Sequence, residues 1–143
     1  MPTRSAKAEW QGSMKEGNGT LELAQQKYPY SFKRRMNDEE HPSTNPEELI
    51  AAAQAGCYSM ALSARLSQQG FKVQNIETTC KVTLSMSGIG MKISRIAIHT
   101  KVKAPNLTQE QLQQHAKIAK DNCPVSNALL AVGVMLDAKL VED

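Results

Sequence analysis

The stretch NPEELIAAAQAGCYSMALSARL, residues 45–66, opens like a helix and then sheds almost all its charge. Thr44 or Asn45 can cap it, Pro46 suits the first helical position, and Glu47 and Glu48 favour the positive end of the helix dipole. The helix should run to about Gln69, where Gly70 supplies a stop. Apart from Cys57 and Tyr58, no ionisable side chain lies between Glu48 and Arg65. Small or apolar residues occupy nearly every side as far as Ser63, which predicts a central helix covered on most faces. The single thiol in its middle has two readings. Cysteine packs well as a small hydrophobe, or this sulfur carries the chemistry.

Working outward, SAKAEWQGSM (5–14) alternates weakly and meets the turn signal KEGNG, so TLELA (20–24) reads as a returning strand. YPYSFKRRM (28–36) predicts a third strand, and NDEEHPST (37–44) an exposed loop. Residues 76–86 alternate most clearly, with Ile76, Thr78, Cys80, Val82, Leu84 and Met86 on one face. SGIG (87–90) turns the chain into MKISRIAIHTKVKA, with Ile96, Ile98 and Val102 inward. TQEQLQQHAKIAKDN follows as a helix with capping-box spacing at Thr108 and Gln111, and with Leu112, Ala116 and Ala119 inside. CPVSNALLAV predicts a short helix and GVMLDAKLVE a last strand. The order gives an α+β chain with antiparallel sheet, a single domain over 1–143.

Composition bounds the function. Seventeen basic against 14 acidic residues give a formal charge of only +3, interspersed along the chain, which predicts no nucleic-acid partner. Cysteines 57, 80 and 123 form neither a C-x-x-C pair nor a Cys/His cluster, arguing against a disulfide framework and a zinc site. MPTRSAKAEW has no apolar core of a secretory signal, and the Ala-rich run is interrupted by Gln54, Ser59 and Ser63, so no membrane span is expected. The expected compartment is the cytoplasm, where a lasting disulfide is unusual and a transient one can be catalytic.

Cys80 faces inward on the clearest strand and reads as packing. The apolar neighbours of Cys57 would by themselves raise its pKa, so reactivity there needs an imported cation. Cys123 precedes Pro124 and falls at a helix N-cap, where N–H groups favour a thiolate, or else it is an ordinary cap filled by a poor capper. Sequence spacing alone does not show that the two thiols meet.

PYSFKRRM (29–36), TNPEELIAAAQAGCYSMALS (44–63) and NCPVSNALL (122–130), with W-x-G at Trp10–Gly12, together resemble the OsmC/Ohr family over essentially the whole chain. The resemblance implies an OsmC-like fold, with antiparallel sheets wrapped around long central helices in an intertwined homodimer. It implies a thiol-dependent peroxidase reducing organic hydroperoxides, with no cofactor beyond an external dithiol such as a lipoyl group. By position, Cys57 would attack the peroxide, Cys123 would resolve the product as a disulfide, and Glu47 and Arg35 would stand beside the attacking thiol, with Arg34 as the alternative arginine. The Ohr-type arginine lies nearer the N-terminus, where this chain has only Arg4, so the OsmC branch is favoured.

These roles make chemical sense. A guanidinium holds a thiolate without losing its own charge and can stabilise the departing alkoxide. Glu47 would orient it through a bidentate pair. Glu47 precedes Cys57 by ten residues, about 15 Å of helical rise, so either the arginine bridges much of that gap or Glu47 and Arg35 come from a second subunit, and the site shared across a homodimer is the preferred reading. His41 reads as a solvated loop residue, His99 as outward-facing and His115 as an edge residue, while Tyr28, Tyr30 and Tyr58 read as core or pocket lining. The competing function is a non-catalytic dimer binding small apolar ligands in the same pocket. A Cys-dependent hydrolase is weaker, because no histidine is placed as an adjacent base.

Overall fold

The computed structural model describes residues 1–36, 43–88 and 90–142. Residues 37–42, and with them His41 and the acidic run Asp38–Glu40, lie outside the described residues. The chain forms two compact units, residues 1–49 and 50–143.

The first unit carries an antiparallel meander of β1 (Lys7–Gln11), β2 (Asn18–Leu23) and β3 (Gln26–Tyr30). Trp10 pairs with Gly19, which pairs with Tyr30. Only glycine fits there, since a Cβ on Gly19 would lie 2.6 Å from the Tyr30 ring and 2.8 Å from Trp10. The two rings close over it with centroids 5.4 Å apart. The predicted third strand is too long at its C-terminal end. It stops at Tyr30, and Phe32–Arg35 form a helical turn, α1. Ser31 decides this by accepting the Arg34 N–H on its side chain, an N-cap that diverts the chain from the sheet.

Helix α2 (Pro46–Gln68) begins as read, with Asn45 Oδ1 accepting the Glu48 N–H at 2.8 Å. It stops before Gly70, whose φ of +87° suits glycine.

In the second unit, β4 (Asn75–Ser87) and β5 (Gly90–Lys103) pair antiparallel, with a register irregularity between Thr83 and Leu84. Helix α3 (Gln109–Asp121) carries the full Thr108–Gln111 capping box, α4 spans Pro124–Ala128, and β6 spans Val134–Leu140. The expected antiparallel pairing holds for β1–β2, β2–β3 and β4–β5, and β6 departs from it by lying parallel to β5. The connection through α3 and α4 is the long crossover that parallel pairing requires. The core joins Tyr58, Leu62 and Leu66 of α2 to Ile96, Ile98 and Val102 of β5 and to Leu112, Ala116 and Ala119 of α3.

Among the described residues, cover does not extend over most faces of α2. Ala52, Ala53, Gly56, Met60 and Ala64 are exposed, Met60 at 76%. One sheet and one further helix can bury only one side of a helix. Among the described residues no helix is long and apolar enough to cross a membrane.

Candidate active site

Residues 66 apart in sequence meet in the second unit. The Cys123 thiol points at Cys57 with the two Sγ atoms 3.1 Å apart, and both cysteines are free. Helix α2 presents Cys57, half-buried, one turn beyond Gln54. Cys123 occupies the N-cap of α4, with Pro124 opening the helix and no side-chain cap bond, and it is wholly buried. The stop at the end of α3 and the proline immediately after Cys123 therefore aim this sulfur at α2.

The two thiols differ in acidity. Burial pushes Cys57 above its ordinary value, against a Val125 N–H that draws it down, and the neighbouring Cys123 adds to the rise. Burial also works against a Cys123 thiolate, but the Ser126 hydroxyl, the Ser126 N–H, the Cys57 thiol and the Val125 N–H outweigh it and draw that pKa below ordinary. The shifts thus run in opposite directions at the two sulfurs, up at Cys57 and down at Cys123. Around it, Gln54 Nε2 donates to Ser126 Oγ at 2.9 Å and approaches Cys123 Sγ at 3.5 Å.

In the first unit, Arg35 donates from Nε at 2.9 Å and from Nη2 at 2.6 Å to the same oxygen of Glu47, Oε1. The expected fork onto both carboxylate oxygens is not formed, since Oε2 is buried with no hydrogen-bond partner among the described residues. The helical turn at Phe32–Arg35 is what turns Arg35 toward the start of α2. Arg34 makes no such pair: its Nη1 is buried without a hydrogen-bond partner among the described residues, and its N–H serves the Ser31 cap. Arg4 is exposed and bonds the adjacent Thr3 carbonyl. Arg35 also lines a cleft of about 210 Å³ with Trp10, Met14, Tyr30, Phe32 and Pro46. Trp10 and Met14 are lining residues that periodicity could not assign.

The remaining candidates fall where they were read. Cys80 packs against the core, and burial raises its pKa. His99 is exposed, with Nδ1 3.5 Å from an oxygen of Asp137. His115 is half-buried and accepts from Arg65 Nε at 3.1 Å; burial and that arginine lower its pKa. Tyr58 donates to the Ala116 carbonyl at 3.0 Å, tying α2 to α3.

The α+β chain thus holds two sequence-distant free thiols at contact distance. Residues 37–138 match the profile of the OsmC-like protein family, and the chain belongs to that family. It is 39% identical over 142 residues to the peroxiredoxin OsmC of Escherichia coli, covering 96% of each. It is 35% identical over 103 residues to organic hydroperoxide resistance protein-like 1 of Staphylococcus epidermidis, covering 70% of this chain and 72% of that one. Its fold matches that of an OsmC-like protein of unknown function from Vibrio cholerae with a TM-score of 0.76, at 18% identity over 96% of this chain and 99% of that one.

Proposed function

We propose that this protein is a thiol-dependent peroxidase that reduces organic hydroperoxides to alcohols. The observation that carries the reading is the 3.1 Å approach of Cys57 and Cys123 as free thiols. Close relatives named as a peroxiredoxin and as organic hydroperoxide resistance proteins support it.

The Cys57 thiolate attacks the outer peroxide oxygen, the O–O bond breaks, and the alkoxide leaves with the bonding pair and takes up a proton. Cys57 is then a sulfenic acid. Cys123 attacks that sulfur, a disulfide forms, and hydroxide leaves. An external dithiol returns two electrons and restores both thiols. Nucleophilic attack needs the thiolate, and burial opposes it at Cys57. In this reading Arg35 supplies the missing positive charge, held by Glu47, and stabilises the departing alkoxide. The apolar cleft beside Arg35, lined by Trp10, Met14 and Phe32, suits an organic tail better than hydrogen peroxide.

The reading includes a homodimer in which Arg35 and Glu47 of one subunit serve Cys57 of the other. The open face of α2 at Ala53, Gly56, Met60 and Ala64 supports a second copy packing there. A reducing compartment such as the cytoplasm would supply the dithiol, with a lipoyl group as one chemical type.

The test is consumption of cumene or tert-butyl hydroperoxide in the presence of a dithiol. Cys57→Ser abolishes turnover, Cys123→Ser consumes one equivalent and then over-oxidises, and Cys80→Ser leaves the rate largely intact. Equal activity in wild type and Cys57→Ser removes the reading.

A further inference from the structure

Gln54 is wholly buried, in the middle of α2 and three residues before Cys57. Its Nε2 reaches Ser126 Oγ at 2.9 Å and Cys123 Sγ at 3.5 Å. Its Oε1 is buried with no hydrogen-bond partner among the described residues. A position that needed only volume would be better filled by Met or Leu, because an orphaned carbonyl in a dry interior costs desolvation that nothing returns. The amide is therefore retained for what its N–H groups do. Those groups face one of the two reacting sulfurs.

We propose that Gln54 governs the resolving half-reaction: its Nε2–H groups hold Cys123 as a thiolate, directly and through Ser126, ready to attack the oxidised Cys57. This role rests on the peroxidase reading given above. In the step, the Cys123 lone pair forms the S–S bond, the Cys57 S–O bond breaks, and hydroxide leaves with that pair to become water. A hydrogen bond to an anionic sulfur is stronger than one to a thiol, so the amide favours the deprotonated state before attack. The groups that act on Cys123 from α4 are the Ser126 hydroxyl and N–H and the Val125 N–H. The titratable group that acts on it is Cys57 of α2, and Cys123 in turn raises the pKa of Tyr58 on the same helix.

Losing a hydrogen bond to a charged group leaves about tenfold less thiolate at a fixed pH below the midpoint. The remaining thiolate is a better nucleophile, by roughly threefold, since reactivity falls with acidity at a Brønsted slope of about 0.4–0.5. The two effects leave Gln54→Met about threefold slower in disulfide formation near neutral pH. Above the Cys123 midpoint, where both proteins are fully ionised, only the second effect survives and the variant becomes the faster one. A crossing of the two pH profiles is therefore the signature, and a role in packing alone does not produce it.

The experiment has two arms. In a Cys57→Ala background, thiolate absorbance is titrated with Gln54 present and replaced by Met, or by Leu where Met does not pack. The two-cysteine protein is then mixed rapidly with tert-butyl hydroperoxide, and sulfenic acid and disulfide are followed against pH. Expected are a higher Cys123 midpoint in the variant, sulfenic acid formed no more slowly than in the wild type, slower closure near neutrality, and a crossing at high pH. Unchanged titration in an active protein overturns this role alone, as does a slowing that is uniform with pH and accompanied by a lower melting temperature. A wild-type protein that consumes no peroxide overturns the peroxidase reading and this role with it.

Discussion

Oxidation with one equivalent of organic hydroperoxide should stabilise the protein, and the size of the effect follows from where the sulfurs lie. Cys57 and Cys123 are 66 residues apart in sequence and 3.1 Å apart in space. A cross-link closing a loop of that length removes denatured-chain entropy equivalent to ~4 kcal/mol at 25 °C. For a chain of this size each kcal/mol moves the melting temperature by about 2–4 °C, so the ceiling is a rise of roughly 8–16 °C. Forming a bond of about 2.05 Å requires the sulfurs to approach by roughly 1 Å. That movement falls on the N-terminus of α4 and on α2, which are packed elements, so part of the gain is lost to strain. We expect a rise of about 5–10 °C. The assay is calorimetry of reduced and oxidised protein at equal concentration, with intact mass showing the loss of two hydrogens. The Cys57→Ser variant, treated identically, controls for oxidation elsewhere. An oxidised protein that carries the internal disulfide and melts at or below the reduced one would refute the claim that the native fold already holds the pair poised.

Arg35→Met strips both donors from a carboxylate that is 9% exposed, and should cost about 2 kcal/mol in urea unfolding, while Glu47→Gln, which keeps an acceptor for Arg35, costs less. Equal costs below about 0.5 kcal/mol would place the pair among ordinary surface ion pairs. Burial raises the pKa values of Cys57 and Cys80 above 9.0 and that of Tyr58 above 10.0. Their contribution is fully present below those ordinary values and is lost as pH rises through the folded ones, so the urea midpoint should fall above pH 9, and less steeply in Cys80→Ala. An alkaline limb of the same slope in that variant would remove Cys80 from the explanation. Met60→Glu puts a charge on the open face of α2 and should shift the protein to monomer in sedimentation and lower peroxide turnover together; a monomer with full turnover would sink the shared-site arrangement.

What could be read from sequence was whatever a local interaction decides. Asn45, Pro46 and Glu47 start α2 where the residue types place it, and Thr108 with Gln111 start α3, because caps are satisfied within one turn of chain. The alternation from Ile76 to Leu84 held because one face of that strand packs against the core. Errors came where a tertiary or weakly coded choice won. Ser31 caps a turn inside a run that reads as strand. Ala24 and Gln25 take positive φ of 50° and 62° in the tight β2–β3 turn without the Asn-Gly chemistry that announces one. The parallel placement of β6 depends on where α3 and α4 return the chain, and no strand pattern encodes that.

The site divides along the same line. Cys57 and Cys123 were legible as candidates because thiols are few, but their contact was not, since nothing local links residues 66 apart. Gln54 was visible only as a polar interruption in an apolar run; its bond to Ser126 and its approach to Cys123 exist only in three dimensions. The acidity order of the pair carries the most weight for mechanism. Burial raises the pKa of the half-buried Cys57, while the fully buried Cys123 is surrounded by donors that lower its own. In the proposed mechanism, positive charge from outside the pair is what offsets that burial at Cys57. In the proposed peroxidase, the exposed small-residue face of α2 is where a second subunit would deliver that charge, which would make assembly part of the chemistry and not only of stability.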